Sequence, residues 1–198
     1  MEISKISMQE TPLFHFNYDK HKDLNDLVLT EIKEERKKDS KNMVASNPGC
    51  WRSSFKYKCA TELFKPMQTI VQEWTKHYFS GVEVDARINY WTNVNEPGAA
   101  NMLHHHALTY CDVSGVYYVQ GTGTGAIRFA THEQMNKLIP SGMPFSGWTG
   151  HNPVDGDIVL FPSYLLHDVV PNPHKDRQRI TVAFNAKLLV TKEEEKKK

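Results

Sequence analysis

Three consecutive histidines, His104, His105 and His106, are the feature of this sequence that most directly suggests chemistry. If the segment is extended, alternate side chains share a face, so His104 and His106 point together and His105 points away. A further imidazole, His167, follows the strongly apolar segment DIVLFP. Neutral imidazole binds iron, zinc, copper or nickel, so these residues form a candidate metal site. The alternative is that the histidine run is only polar surface.

An arginine and a hydroxyl lie downstream of these histidines, on the segment RITVAFN. Arg179 and Thr181 share one face of the predicted strand because side chains alternate. A guanidinium that faces a barrel interior is costly unless a carboxylate meets it, and arginine binds carboxylates through two parallel hydrogen bonds. The carboxylate could come from a small ligand or from a protein Asp or Glu. Arg177 lies on the same predicted face and is the second candidate anchor.

The elements that must position these residues change character along the chain. Apolar residues at steps of three and four predict a helix from Leu24 to Lys38, with Leu24, Leu27, Val28 and Ile32 on its packed face. A second helix is predicted from Glu62 to Phe79, with Gly81 as its stop. Its packed face comprises Leu63, Met67, Ile70, Val71 and Trp74. Between them, SNPGCWRSS is predicted to be a loop.

After Gly81 the sequence is typical of β-structure. Short runs rich in β-branched and aromatic residues alternate with Gly, Pro, Asn and Asp clusters. The runs are VEVDARINYWTNV, DVSGVYYVQ, AIRFA, DIVLFP and RITVAFNAKLLV. This pattern predicts a mainly β (α+β) protein, a sandwich or barrel with the N-terminal helices packed on the outside. One domain is expected over residues 1–190, with helices at about 20–80, the barrel at about 82–190, and a charged tail at 191–198.

Composition places few further limits on function. The chain has 198 residues and a formal charge of +1, from 24 Lys plus Arg against 23 Asp plus Glu. This balance does not indicate nucleic-acid binding, and no run approaches the length of a membrane helix. The N-terminal segment lacks the pattern of a signal peptide. Three cysteines without paired spacing are typical of reduced thiols, which favours a cytoplasmic location.

Taken together, the motifs resemble the 2-oxoglutarate/Fe(II) dioxygenase superfamily. The resemblance rests on WTNVNEPGAANMLHHH, SGVYYV, GDIVLFPS, His167 and RITVAFN, and it extends upstream to NPGCWRSS. It covers about residues 47–185 and is most specific for a microbial and phage branch of the superfamily. The resemblance implies a double-stranded β-helix (jelly-roll) barrel, with Fe(II) as cofactor and 2-oxoglutarate as co-substrate. It also implies hydroxylation of a C–H bond, coupled to the decarboxylation of 2-oxoglutarate to succinate.

The resemblance also implies roles for individual residues. His104 and His167 take two metal-ligand positions, and Arg179 with Thr181 takes the element that anchors the distal carboxylate of 2-oxoglutarate. His106 stands where the superfamily usually has a carboxylate, so the third ligand is His106, Asp112 or water. A third imidazole would leave the centre one unit more positive, with weaker Fe(II) retention and greater tolerance of other metals.

Residues of the neighbouring predicted strands are further candidates for contacts to the co-substrate. Asn93, Asn95 and Tyr117 are the main ones, with Tyr90 and Tyr118 as alternatives, although strand aromatics more often belong to the core. The segment PSGMPFSGWTGHNP, with Trp148 and His151, is expected to form a loop over the mouth of the barrel.

Two other functions fit the same residues. One is a cupin-type, three-histidine metal dioxygenase that uses no 2-oxoglutarate, and the other is a non-catalytic jelly-roll binding module. The substrate is expected to be a small molecule, an amino acid or a peptide side chain, with no nucleic-acid or membrane partner. An exposed edge strand would permit a homodimer.

Overall fold

Two antiparallel sheets face each other, and two helices cover the outer side of the larger one. The computed structural model describes residues 11, 13–39, 49–79, 82–130 and 148–193. The helices are α1 (His21–Lys38) and α2 (Ala60–Tyr78). The strands are β1 (Phe14–Asn17), β2 (Cys50–Ser53), β3 (Val82–Asn95), β4 (Asn101–His104), β5 (Val113–Gln120), β6 (Ile127–Ala130), β7 (Trp148–His151), β8 (Asp157–Pro162), β9 (His167–Val169) and β10 (Arg179–Glu193).

The strand order makes the fold a jelly roll. The larger sheet has the order β1-β8-β5-β10-β3-β2, and the smaller has the order β4-β9-β6-β7. Every described strand pair is antiparallel. From β3 to β10 the chain passes repeatedly from one sheet to the other, as a double-stranded β-helix requires. The predicted fold class is confirmed.

Both predicted helices form, and their apolar faces pack on the larger sheet. All five apolar residues predicted for α2 are buried, as are Leu24, Val28 and Ile32 of α1. Leu27 is an error in the prediction, because its side chain is 48% exposed. Asn25 takes the buried position instead, and its amide oxygen accepts a hydrogen bond from the sheet. Gly81, the predicted stop of α2, lies outside the described residues.

All five predicted strands form, and four of them have both ends within a residue of the observed bounds, whereas several short strands were not predicted. Cys50–Ser53, predicted to be loop, pairs with β3 as the outer strand of the larger sheet. Trp148–His151, predicted to belong to a mouth loop, pairs with β6. Residues 140–147 of that predicted loop lie outside the described residues. Strand β10 continues to Glu193, so the predicted boundary at residue 190 falls inside a strand.

Two features bear on the chain's surroundings. None of the three cysteines forms a disulfide. Across the described residues, no helix combines the length and apolar character that crossing a membrane requires.

Candidate metal centre and adjoining cavity

The three predicted histidines converge on one point between the sheets. His104 ends β4 and lies directly opposite His167 of β9 in the antiparallel ladder. His106 arrives from a tight turn, where its backbone N–H donates to the Ser163 carbonyl at 2.7 Å. One nitrogen of each imidazole lies within 4.8 Å of the others. The predicted convergence is therefore observed, although the strand ends at His104 and the turn completes the set.

Backbone carbonyls fix how two of these imidazoles face the centre. Nδ1 of His104 lies 2.6 Å from the Met102 carbonyl, and Nδ1 of His167 lies 2.8 Å from the Leu165 carbonyl. Each Nδ1 therefore carries the proton and donates it, which leaves Nε2 as the ligand atom. The rings of Phe161 and His167 meet edge to face with their centroids 4.7 Å apart. Carbonyls and an apolar wall thus orient the imidazoles toward the centre.

Burial keeps all three imidazoles neutral. Desolvation lowers the pKa of His106 to about 4 and that of His167 to about 3, with the neighbouring imidazoles adding to the effect. It also lowers the pKa of His104. A neutral imidazole has the lone pair that a metal needs, so no proton must leave at neutral pH. The donor set therefore fits a divalent transition metal such as Fe(II).

The other two candidates near this centre lie elsewhere. His105 is exposed, and its Nδ1 accepts a hydrogen bond from the Ala107 N–H. The Asp112 carboxylate accepts hydrogen bonds from Lys187 Nζ at 3.0 Å and from the Leu188 N–H at 2.8 Å. Asp112 is therefore engaged with β10 and is not part of the histidine group.

Arg179 enters the same cavity from β10 and is 2% exposed. Its guanidinium donates to the carbonyls of Thr124 at 2.8 Å, Val170 at 3.2 Å and Ala99 at 3.3 Å. Among the described residues, no Asp or Glu forms an ion pair with it. Within the described residues, the structure therefore provides no protein carboxylate as the partner of Arg179. Its buried positive charge lies beside the cavity that the histidines line.

The strand neighbours of Arg179 divide between the cavity and the surface. Thr181, Asn93 and Asn95 line the cavity with it, so Arg179 and Thr181 share a face as predicted. Nδ2 of Asn95 donates to the side chain of Asn101 at 2.6 Å. Arg177 precedes β10 and pairs with Asp155 at 2.5 Å, outside the cavity lining. The structure therefore does not support Arg177 as the second anchor.

Tyr117 is a wrong prediction, and its neighbour Tyr118 takes the position expected of it. The Tyr117 side chain points to the helices, and its hydroxyl donates to Asn25 at 2.7 Å. Tyr118 lines the cavity, is 1% exposed and lies near the charge of Arg179. Adjacent residues of a strand face opposite ways, and the sequence YY does not indicate which faces inward. Tyr90, the other alternative, also packs on the helical side.

Sequence reasoning also missed the outer part of the cavity. Arg52, on a segment predicted to be loop, stacks its guanidinium 4.7 Å from the ring centre of Trp91. Both residues line the histidine cavity and a wider groove that opens from His106. The groove has a volume of about 290 Å³ and also includes Arg87, Asn89 and Lys187. No signal in the sequence placed β2 beside the histidines, because β2 reaches them by pairing with β3, whose partner residues lie 39–45 positions further along the chain.

Comparisons with known proteins identify the family of this chain. Residues 89–185 match the family model described as "Putative 2OG-Fe(II) oxygenase". No curated protein sequence matches the chain. The family match and the strand order together place the chain in the class of double-stranded β-helix metalloenzymes. Within that class it belongs to the 2-oxoglutarate/Fe(II) oxygenases, because the residues that match the family model include all of strands β4 to β9.

Solved structures share the fold. A prolyl-4-hydroxylase of Pseudomonas putida is 16% identical, with a TM-score of 0.62 over 89% of this chain and 92% of that one. A prolyl hydroxylase of Trichoplax adhaerens, in complex with a hypoxia-inducible-factor peptide, is 11% identical, with a TM-score of 0.64 over 88% and 82%. HygX of Streptomyces hygroscopicus, with nickel and 2-oxoglutarate bound, is 10% identical, with a TM-score of 0.60 over 89% and 83%. At these identities the likeness concerns the fold.

Proposed function

We propose that this oxygenase holds Fe(II) through His104, His106 and His167 and hydroxylates a C–H bond of a small molecule, an amino acid or a peptide side chain. The three neutral imidazoles leave coordination positions open on an octahedral ion. When bound, the ion would activate dioxygen, the oxidant, so that 2-oxoglutarate, dioxygen and a C–H bond give succinate, carbon dioxide and an alcohol. The protein supplies orientation and exclusion of water.

The observation that carries the proposal is the buried charge of Arg179, with which no Asp or Glu of the described residues forms an ion pair. A buried guanidinium without an anion loses hydration that three carbonyls only partly replace. A carboxylate in the cavity would restore the balance and accept two parallel hydrogen bonds. Arg179 and the histidines line one cavity, so a small molecule with a carboxylate at each end fits both. We assign the distal carboxylate to Arg179, with Thr181 beside it.

Two further residues support this placement of the co-substrate. Tyr118 lies near Arg179 and stays protonated because burial raises the pKa of its hydroxyl, so it can donate a hydrogen bond. Asn93 lines the cavity opposite Thr181 in the ladder, where its amide can orient the ligand. Tyr118 replaces Tyr117 in this assignment.

The outer groove supports a substrate with an anionic group. Arg52 and Arg87 line the groove, and neither has an ion pair among the described residues. Lys187, the third cation, is paired with Asp112. His106 borders the groove, so a substrate held by the two arginines would present its carbon skeleton to the metal side. We propose a carboxylate or phosphate on the substrate.

The cellular setting is a further proposal. The cysteines, none of which is in a disulfide, support a cytoplasmic protein. The outer strands of the larger sheet, β1 and β2, offer edges through which two copies could pair into a homodimer, a state that light scattering would measure.

The experiment that tests the function is anaerobic titration of the metal-free protein with Fe(II) and then with 2-oxoglutarate, followed by the visible charge-transfer band of a chelated keto acid. We expect one band in the wild type and its loss in His104→Ala. Oxygen-dependent formation of succinate in the same samples should follow the band. Metal binding without a band would favour the cupin-type dioxygenase. Failure to bind any metal would favour the binding module.

A further inference from the structure

A second group of metal-binding side chains lies outside the cavity of the three histidines. His15 of β1, His151 of β7 and Asp157 of β8 each offer a ligand atom within 4.8 Å of the others. The two imidazole rings have their centroids 4.5 Å apart. Strands β1 and β7 are the end strands of the two sheets, so this group lies where the open edges of the sheets meet.

The local sequence explains why His15 faces this group. Phe14 and Phe16 alternate with His15 and Asn17 along β1, and both phenylalanines pack on the core beneath the helices. His15 and Asn17 therefore project from the opposite face, toward the smaller sheet. Asn17 lies directly opposite Asp157 in the β1–β8 ladder. The alternation on one short strand thus brings an imidazole and an amide to the same carboxylate.

The Asp157 carboxylate is held in the manner of a metal ligand. Its side chain is 3% exposed. The Asn17 amide donates to Oδ1 and the Val154 N–H donates to Oδ2, each at 2.9 Å. Backbone and amide donors of this kind orient ligating carboxylates in metal sites. Within the described residues, no Lys or Arg neutralises this buried anion, whose ion pairs are with the two histidines.

The distances suit a small tetrahedral ion. Nε2 of His151 lies 3.0 Å from Oδ2, and Nε2 of His15 lies 3.6 Å from Oδ1. The second distance is too long for a good hydrogen bond. The first is a hydrogen-bond distance. Ligand atoms at about 2.0–2.2 Å from tetrahedral zinc are about 3.3 Å apart, so shifts of a few tenths of an ångström would bring each pair to that spacing. Exposure of the His15 side chain (48%) leaves room for water as a fourth ligand.

We propose that His15, His151 and Asp157 form a second metal site, a structural zinc site that ties β1 to β7 across the open edge of the barrel. Two imidazole nitrogens and one carboxylate oxygen are a donor set that zinc accepts. The site requires no part of the iron chemistry. It would fix strand β1, whose main contacts within the described residues are with β8 and α2.

The test uses a variant in which the iron site is disabled, His104→Ala/His167→Ala, so that any remaining metal reports on the second site. After chelation, incubation with Zn(II) and desalting, we expect one zinc per chain in this variant and two in the wild type. Adding His15→Gln should weaken zinc binding at least 100-fold. Co(II) in place of zinc should give the intense visible absorption of a tetrahedral centre, lost in the same variant.

The controls make the result decisive. His174→Gln changes an exposed histidine that belongs to neither group and should leave the zinc content unchanged. His15→Gln changes a half-exposed side chain, so circular dichroism should show a folded protein. No zinc in the iron-site variant would overturn the proposal. So would zinc that survives both His15→Gln and His151→Gln.

Discussion

Replacement of Arg179 by lysine tests the reasoning about the co-substrate most directly. Lysine keeps the positive charge and most of the length but has one nitrogen where arginine presents a planar fork. In the structure, Nη1 and Nη2 donate to three carbonyls and Arg179 lines the cavity, so a bound carboxylate would take over hydrogen bonds that these carbonyls accept. A carboxylate held by two charge-assisted hydrogen bonds would lose one of them. That loss costs about 1.5–3 kcal/mol, or about a 10- to 150-fold rise in Kd.

The assay is calorimetric titration of the metal-loaded protein with 2-oxoglutarate and with 2-oxobutyrate, which lacks the distal carboxylate. Wild-type protein should prefer 2-oxoglutarate strongly, and Arg179→Lys should lose most of that preference. Affinity for 2-oxobutyrate should change less than about threefold, because its keto acid end does not reach Arg179. Comparison of two ligands in two proteins isolates the contact in the manner of a double-mutant cycle.

Arg177→Lys is the matched control. Arg177 lies two residues away but pairs with Asp155 at the surface, so both affinities should stay within about threefold of wild type. Equal preference for 2-oxoglutarate in wild type and Arg179→Lys would refute the assignment of Arg179. A loss of preference in Arg177→Lys alone would move the anchor to that residue.

Three further predictions concern the same site. His106→Asp should tighten Fe(II) binding by about one to two orders of magnitude in chelator competition, because a carboxylate neutralises one positive charge. Tyr118→Phe should raise the Kd for 2-oxoglutarate about three- to tenfold, whereas Tyr117→Phe should leave it unchanged and lower the free energy of unfolding by about 1 kcal/mol, since only the bond to Asn25 is lost. The metal-free protein should lose stability as the pH falls from about 6.5 toward 4. Its buried imidazoles have lowered pKa values (about 4 for His106 and about 3 for His167), so the unfolded chain binds protons at a higher pH than the folded chain. The free energy of unfolding should then fall by about 1.4 kcal/mol per pH unit for each imidazole. Chemical denaturation at several pH values measures this slope, and a flat profile would contradict the burial argument.

Local periodicity predicted the elements that have a strong period. The α2 stripe and the long strands β3 and β10 have enough residues for alternation to be unambiguous. Short strands such as β1 and β2 have four residues each, too few to distinguish strand from loop. Their formation depends on pairing with β8 and β3, distant in sequence. Tertiary contacts decided those elements, and a single sequence does not display them.

The same distinction separates the site residues that were predicted from those that were not. His104, His167 and Arg179 were found because their chemistry is unusual for a barrel interior, whichever residues surround them. Tyr117 was chosen wrongly over Tyr118, because both have the same chemistry and only the register of β5 assigns one to the cavity. Ring packing fixes that register: a Cβ on Gly115 would lie 2.2 Å from the Phe184 ring, so the odd-numbered face of β5 must turn to the helices.

The charge of the site connects metal binding with co-substrate binding. A divalent ion on three neutral imidazoles keeps both positive charges, and Arg179 adds a third in the same cavity. The two negative charges of 2-oxoglutarate then neutralise most of this positive charge, whereas in a site with a carboxylate ligand that ligand would neutralise part of it. Linkage requires that each ligand tighten the other by the same factor. Fe(II) should therefore be retained weakly alone and more firmly with 2-oxoglutarate, and Arg179→Lys should reduce this mutual tightening although it touches no metal.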